Sequence, residues 1–334
     1  MTSERASTGY EDPPYRPDPH TVYDPVNNAE DAAKLSYYWL PSRPDPNKQP
    51  ELYAHWEEMF WPPPKFVLAE STEPPHPIEE VVLRQPSFEG LSGRLESSQN
   101  WSGAYLEPRE ANRFSRVVGA WTVPSVKPGV RQESDLGKQF RFSIWIGLDG
   151  KKGWTNSMPQ VGTEHKLTKD DGTQEDIVWW QWWIRDEDKP EWPRTMKGIA
   201  VKPGDRVLCS MSVMDPKYVR IHVVNRTTGL FTTVQLKGPK PLVGATAEWV
   251  VERQSNVYIR RDFLYPVPDY SEVTFDKCAV ENVRTTTPAP PWVPRYIRMT
   301  ETFKKQRRVA VISTPSTGEE PRKVRLTYRR PAID

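Results

Sequence analysis

The chain has 334 residues, and its 46 Lys and Arg nearly balance its 44 Asp and Glu, which leaves a formal charge of +2. This balance gives no general attraction to nucleic acid or to an anionic membrane, and no apolar run reaches the ~18 residues of a membrane-spanning helix. We therefore expect neither nucleic acid nor a membrane among its partners.

The N-terminal sequence and the cysteine content give an expectation for the cellular compartment of the protein. Residues 1–12 are polar and lack the basic-then-apolar order of a secretory signal. Cys209 and Cys278 are too few for a disulfide scaffold, and two buried thiols are a better interpretation than one bridge, which the sequence leaves open. We expect a cytoplasmic or non-classically exported protein.

Residues 1–96 form a distinct segment that holds 16 of the 35 prolines. Proline fixes φ and lacks a backbone donor, so long helices and central strands are excluded there. Two short helices fit between the proline clusters, at 29–39 and 51–61, and the second places three apolar residues on one face. They are Leu52, Trp56 and Phe60. We interpret residues 1–96 as a proline-rich arm that lies on the main domain.

Residues 97–334 show a β pattern instead. The β-rich runs lie at 117–123, 140–148, 177–184, 206–214, 219–224, 232–236, 247–251, 273–280, 309–313 and 324–328. Gly- and Pro-containing turn signals separate many of these runs, and no long amphipathic helix pattern interrupts them. Many short strands with turns between them predict an all-β domain, either an antiparallel sandwich or a barrel.

The usual catalytic motifs of metal, nucleotide and serine enzymes are missing from this sequence. Five histidines are scattered along the chain, and only two of them, His165 and His222, lie in the β half. We therefore expect no metal and no cofactor.

The run at 177–184 is the most unusual in the chain, because it contains four tryptophans around one glutamine. Alternate residues of a strand share a face. One face carries Trp179, Gln181 and Trp183, and the other carries Trp180, Trp182 and Ile184. The polar Gln181 favours a cleft beside the first face, while the alternative, in which both faces are simply buried, stays open.

A second strand pattern, at 247–252, places Glu248, Val250 and Glu252 on one face. At ~3.3 Å per residue the two acids lie about 13 Å apart, too far to share a proton. By itself this pattern is more typical of a solvated strand face than of a catalytic site.

Seven short runs follow one another along the chain, at 100–104, 121–126, 143–150, 158–162, 178–183, 225–229 and 247–252. Taken in order, they resemble the glutamic peptidase (eqolisin) family over about residues 97–330. The resemblance implies a two-sheet antiparallel sandwich, similar to concanavalin A and other lectins, with a cleft on its concave face. It also implies an endopeptidase that needs no cofactor and acts on a polypeptide substrate, and we expect a monomer.

The resemblance also implies a catalytic pair on adjacent strands. Glu252 would be the general base that activates a water, and Gln160 would stabilise the oxyanion with its amide N–H. The residue types suit these roles, because a carboxylate accepts a proton and a carboxamide donates without titrating. Glu252 with an ordinary pKa is deprotonated above about pH 4.3, while repulsion among the 46 Lys and Arg and 5 His would destabilise the chain in strong acid. We therefore expect an optimum at mildly acidic to near-neutral pH.

The substrate cleft carried over from the family has six residues. They are Trp145, Asp149, Glu164, Trp179, Gln181 and Trp183. Glu164 replaces the usual aspartate, Gln181 replaces an acid and Trp183 replaces a tyrosine. Gln254 and Ser255 replace an aromatic–acid pair directly after the catalytic glutamate.

The arm stands where the family has a removable propeptide, so we expect it to cover the cleft and restrain activity. Its aromatic residues Trp39, Trp56, Phe60 and Trp61 would make this contact. The replaced cleft residues motivate an alternative function, a non-catalytic lectin-like module that binds peptides or glycans. A structural or secretion-associated protein whose arm docks on a partner is a third hypothesis.

Overall fold

The structure is a computed structural model of the chain. It describes residues 9–72, 95–109, 112–129, 139–151, 155–168, 170–184, 193–256, 263–283, 292–303, 308–316 and 321–329. The prolines at 288, 290, 291 and 294 predict a surface loop at 285–294, and most of that stretch lies outside these residues.

Two helices and twenty strands make up the described chain. The helices are α1 (Ala29–Ala33) and α2 (Pro50–Phe60). The strands are β1 (Gly9–Glu11), β2 (Lys65–Phe66), β3 (Glu70–Thr72), β4 (Leu95–Ser98), β5 (Trp101–Leu106), β6 (Phe114–Thr122), β7 (Gln139–Leu148), β8 (Ser157–Thr168), β9 (Gln174–Ile184), β10 (Arg194–Lys197), β11 (Arg206–Asp215), β12 (Tyr218–Asn225), β13 (Leu230–Lys237), β14 (Ala247–Arg253), β15 (Ser255–Asn256), β16 (Phe263–Leu264), β17 (Glu272–Asn282), β18 (Arg295–Phe303), β19 (Arg308–Pro315) and β20 (Val324–Tyr328).

The predicted all-β class is confirmed. Eighteen strands join into one large sheet, while β15 and β16 form a separate pair. Nearly all neighbours are antiparallel, and the parallel exceptions in the described residues are β13 with β2 and β18 with β4. Ten strands correspond to the predicted runs, whereas β5, β8, β18 and the strands of four or fewer residues have no counterpart among them.

The main core lies between strand β6 and the strands β7, β8 and β14. The indole N–H of Trp249, on β14, donates to the carbonyl of Val118, on β6, at 2.8 Å. Trp121, also on β6, donates to the hydroxyl of Thr163 on β8 at 3.0 Å. A Cβ at Gly119 would lie 2.9 Å from the Trp249 ring, so the missing side chain allows this close approach. Strand β6 therefore packs face to face on the layer formed by β7, β8 and β14.

The N-terminal arm covers the other face of β6 and its neighbours. Trp56 and Phe60, on α2, pack in one cluster with Leu208, Val224 and Phe231. The expectation that these aromatics cover the predicted cleft is wrong, because that cleft belongs to strands on the opposite side of the core. Apolar residues on the outer face of β11, β12 and β13 require a cover, and α2 supplies it.

The other two arm aromatics also differ from the prediction. The Trp39 ring stacks with Arg220 on β12, with the guanidinium carbon 4.6 Å from the ring centroid. Trp61 is 50 % exposed and covers little. The predicted helix at 29–39 is reduced to α1, which Asn28 caps by accepting from two backbone N–H groups.

A polar network fixes α2 to the sheet. Arg206 binds Glu58 at 3.0 Å and Asp276 at 2.5 Å, and Lys277 also pairs with Glu58. Burial opposes ionisation of Glu58, but hydrogen bonds from Arg206 and Lys277 lower its pKa to about 2. The arm is therefore held by apolar burial and by charge together.

The cysteines follow the preferred interpretation. Cys209 and Cys278 are both free and buried, and burial raises the pKa of each thiol. Of the helices in the described residues, none combines the length and apolar character needed to cross a membrane.

Candidate active site

Five strands lie side by side in the order β5, β14, β7, β8 and β9 and form the face that carries the predicted site. In register, Glu252 stands opposite Ser143, which in turn stands opposite Glu164. Gln160 stands opposite Gly147, which follows Ser143 by four residues on β7. Residues an even number of positions apart on a strand point to the same face, so Glu252 and Gln160 lie on the same face of the sheet.

The pair does not lie on adjacent strands, and the prediction is wrong on this point. Glu252 is on β14 and Gln160 is on β8, and β7 runs between them. Gly147 of β7 contributes no side chain, and a Cβ there would lie 2.9 Å from the Trp145 ring. The ring of Trp145 therefore lies against the sheet between the two strands.

The predicted division of the aromatic strand into two faces is confirmed. One buried cluster forms on the site face and consists of Trp101, Tyr105, Trp145, Met158, Trp179, Trp183, Val250 and Ile297. The alternate residues Trp180, Trp182 and Ile184 belong to the main core. Trp179 is only 4 % exposed and Trp183 only 7 %. Both faces of β9 are thus buried here, so the site face is not an open cleft in this structure.

Three N–H donors surround the carboxylate of Glu252. Trp145 donates its indole N–H to Oε2 at 2.8 Å, and Trp101 donates to Oε1 at 3.0 Å. The side-chain amide of Asn100 adds a third bond to Oε1 at 3.2 Å. These bonds fix the orientation of a carboxylate that is 1 % exposed.

Burial raises the pKa of Glu252 to about 8, against the lowering effect of the three donors. The expectation of an ordinary pKa is therefore wrong. Sequence reasoning could not find this shift, because the shift depends on how completely the folded chain excludes water from β14.

Gln160 is fully buried and bonded to another residue of the predicted cleft. Its amide N–H donates to Oε1 of Gln181 at 3.0 Å, directly across the β8–β9 register. A carboxamide has two N–H hydrogens, so one remains available to another acceptor. Gln181, where the family has an acid, supplies the acceptor without adding a charge.

Several buried polar atoms on this face have no hydrogen-bond partner among the described residues, including both carboxyl oxygens of Glu248, and two of them belong to the predicted catalytic and cleft residues. These two atoms are Oε1 of Gln160 and Nε1 of Trp179. Leaving such an atom unsatisfied costs ~1–3 kcal/mol, and native structures tolerate this where an atom has a use. The Gln160 oxygen can accept a hydrogen bond and the Trp179 N–H can donate one. Together they match a ligand that carries both a donor and an acceptor.

Asp149 is placed differently from the other predicted cleft residues. Its carboxylate accepts from the backbone N–H groups of Val243, Gly244 and Ala245 at 2.5, 3.0 and 2.6 Å. Asp149 has a left-handed φ of 71°, directly after β7. Burial raises its pKa although these backbone donors lower it. The geometry makes Asp149 an anchor for the loop before β14.

Two further carboxyl groups belong to the same face. Burial raises the pKa of Glu164, while Arg141 and a hydrogen bond with Gln254 act to lower it. Glu248, which stands opposite Gly147, is fully buried, and burial raises its pKa to about 8. The sequence interpretation of 247–252 as a solvated strand face is therefore wrong.

Sequence reasoning missed a buried relay on the other side of β8. Thr163 Oγ1 lies 2.9 Å from Nε2 of His165, whose Nδ1 lies 2.6 Å from Oδ1 of Asp176. This order of groups resembles a nucleophile, base and acid. Thr163 has no exposed surface and its hydroxyl already accepts from Trp121, so the relay is structural. No cluster of three or more metal-binding side chains occurs in the described residues.

The comparison with protein families decides the identity of this β domain. The model of the peptidase A4 family matches residues 99–314. The chain belongs to the peptidase A4 family. Its members are glutamic-type peptidases, and the chain is a hydrolase of this type, as the resemblance implied.

Solved structures support the fold. Scytalido-glutamic peptidase with a transition state analog inhibitor is 20 % identical at a TM-score of 0.50, covering 69 % of this chain and 98 % of that one. SCP-B, described as an eqolisin in complex with the tripeptide Ala-Ile-His, is 18 % identical at a TM-score of 0.50, with the same coverage. No curated protein sequence matches the chain.

Proposed function

We propose that this peptidase is an endopeptidase in which Glu252 and Gln160 act on one peptide bond. The observation that carries the proposal is the face that they share. A buried carboxylate oriented by three N–H donors lies on the same face as a buried carboxamide with an unpartnered oxygen. Membership of a glutamic peptidase family supports the assignment.

In the proposed reaction, Glu252 removes a proton from a water molecule as the water oxygen attacks the peptide carbonyl. The carbonyl oxygen becomes an oxyanion and accepts from the Gln160 N–H that Gln181 does not use. Glu252 then gives its proton to the leaving amine as the C–N bond breaks. The proton balance needs no third group, because the same carboxyl first accepts and then donates.

The aromatic residues are proposed to bind the substrate. Trp179 lies opposite Gly162, between the register positions of Gln160 and Glu164, and its unpartnered N–H can donate to a peptide carbonyl. Trp183 and Trp145 supply apolar surface for side chains. Glu164 and Asp149 complete the proposed cleft, Asp149 by fixing the adjoining loop. Because the face is buried, substrate entry requires this surface to open.

Digestion of a denatured protein tests the proposal. Unfolded casein is incubated with the wild type and with Glu252→Gln from pH 4 to pH 9. We expect the wild type to cleave and Glu252→Gln to lose ~100-fold or more, because it removes the base at constant volume.

Glu175→Gln is the matched control, since Glu175 lies on exposed surface and pairs with Lys166 at 2.9 Å. It should cleave like the wild type. Retained turnover in Glu252→Gln, with an unchanged circular dichroism spectrum, would remove Glu252 from the mechanism.

A non-catalytic binding module is the second candidate function. The observation in its favour is the exclusion of solvent from the site face, together with Gln181 and Trp183 at positions where the family has other residues. A chain that binds peptides or glycans by calorimetry, but cleaves no substrate at any pH, would support this alternative.

We also propose the sandwich architecture, the oligomeric state and the boundary between the arm and the β domain. The face-to-face packing of β6 on β14 supports a concanavalin A-like sandwich. We propose a monomer, tested by light scattering. The proposed boundary between arm and domain, at residues 96 and 97, falls inside β4, so limited proteolysis should place it before Leu95.

A further inference from the structure

A cavity of about 410 Å³ lies where the arm meets the outer face of the sheet, on the opposite side of the core from the candidate active site. The arm contributes Trp39 and Arg43, and the sheet contributes Arg116, Arg220 and His222. This volume lies in the range of small-molecule sites. Its walls thus come from two parts of the chain that are distant in sequence.

Three guanidinium groups line this cavity, and no acidic residue does among the described residues. The whole chain carries a formal charge of only +2, so three arginines around one cavity concentrate positive charge locally. Arg116 has its acidic partner outside the lining, since its Nε lies 3.4 Å from Glu281. Arg43 and Arg220 have no acidic partner in the described residues.

The two arginines without acidic partners are held by aromatic rings. Arg220 stacks on Trp39, and its Nε donates to Gln235 at 2.9 Å. Arg43 lies 5.5 and 5.6 Å from the ring centroids of Tyr53 and Trp56. Such stacking orients a guanidinium while it leaves most N–H donors available. Burial also lowers the pKa of Arg220.

Serine hydroxyl groups complete the polar lining. Arg116 donates to Ser212 Oγ and to Ser42 Oγ, both at 3.0 Å, so its guanidinium already bridges the sheet and the arm. An anion beside it would meet donors from both sides. Planar guanidinium forks match the oxygen geometry of carboxylates and phosphates.

We propose that this cavity binds a small oxyanion, a phosphate or carboxylate compound, between the arm and the sheet. The anion neutralises the arginines and ties the arm to β12, so it stabilises the folded chain in proportion to its occupancy. The site is separate from the proposed peptidase chemistry, and its occupancy changes stability rather than the catalytic step.

Isothermal titration of the full chain at pH 7 and low ionic strength tests the proposal, with sodium phosphate in one series and citrate in another. We expect saturable binding of at least one of them, and the tighter one identifies the phosphate or the carboxylate source. Arg220→Gln and Arg43→Gln should each weaken that binding about 10-fold, because each removes a charge-assisted donor set. Added sodium chloride should weaken it as well.

Arg325→Gln is the matched control, since its Nε lies 3.6 Å from Glu272, its side chain is 41 % exposed, and it is not among the residues that line this cavity. It should bind like the wild type. Arg43 is exposed, so Arg43→Gln remains informative if Arg220→Gln fails to fold. Absence of saturable binding in both series, or equal weakening by Arg325→Gln, would overturn the proposal.

Discussion

Trp145 donates its indole N–H to Oε2 of Glu252 at 2.8 Å, although the two residues are not opposite each other in register. Trp145 stands opposite Val250, two residues before Glu252 on β14. The ring reaches diagonally along the sheet, and the missing side chain of Gly147 lets it lie flat. Trp145 therefore connects β7 to the carboxylate and favours its charged form, against the larger opposing effect of burial.

Trp145→Phe should raise the pKa of Glu252 further, because it removes one of three donors that favour the charged form. At pH 7 we expect a roughly 10-fold loss of kcat/KM, for a pKa change of about one unit. The loss should shrink as pH increases. A pH–rate profile measures this shift, and an unchanged acidic limb would contradict the role given to Trp145.

The pH dependence of turnover should report Glu252 directly. A general base acts when deprotonated, and burial raises the pKa of Glu252 to about 8. The rate should therefore rise with pH up to about pH 8, above the mildly acidic range that an ordinary carboxylate predicts. Rates and circular dichroism are measured in parallel. A maximum near pH 2 with intact structure would contradict this assignment.

Stability should fall as pH rises from about 4.5 to about 8. Burial raises the pKa values of Glu248 and Glu252 to about 8, so the folded state binds more protons than the unfolded state in this window. Glu248→Gln should reduce the slope and stabilise the chain at pH 8 by on the order of 1–3 kcal/mol. Urea unfolding at pH 5 and pH 8 measures the effect, and an equal slope in both proteins would exclude Glu248 as a cause.

Trp56→Ala should destabilise the chain by about 3–5 kcal/mol, because the side chain is 2 % exposed between α2 and the sheet. Turnover per folded molecule should stay unchanged, since α2 packs on the opposite side of the core from Glu252. Trp61→Ala, at a half-exposed position, is the control and should change stability by about 0.5 kcal/mol or less. Higher turnover in Trp56→Ala would instead favour an arm that restrains activity.

Gln160→Ala should lower kcat by roughly 100- to 1000-fold with little change in KM, as expected when an oxyanion donor is lost. Steady-state kinetics on a peptide substrate separate the two constants. Gln235→Ala, on β13, is the control and should leave both constants unaltered. A rise in KM alone would assign Gln160 to substrate binding rather than to stabilisation of the oxyanion.

Local pattern was sufficient for ten of the twenty strands and for their faces. The separation of Trp179 and Trp183 from Trp180 and Trp182 follows from the two-residue period of a strand, which needs no knowledge of neighbours. The same two-residue period placed Glu248 and Glu252 on one face of their strand. It could not detect β8, where Pro159 and Gly162 interrupt the β-rich character of the run.

The sequence by itself determined the β class, the residues on each strand face and the family resemblance, because all three depend on residue types at short and fixed spacings. Only the tertiary structure decided that β7 separates Gln160 from Glu252 and that α2 covers the far side of the core. The pairing of β7 with β14 and the docking of α2 depend on contacts between residues more than 100 positions apart, such as Trp145 with Glu252. The raised pKa of Glu252 has the same origin, since a carboxyl group loses its water only when distant strands and aromatic rings close around it.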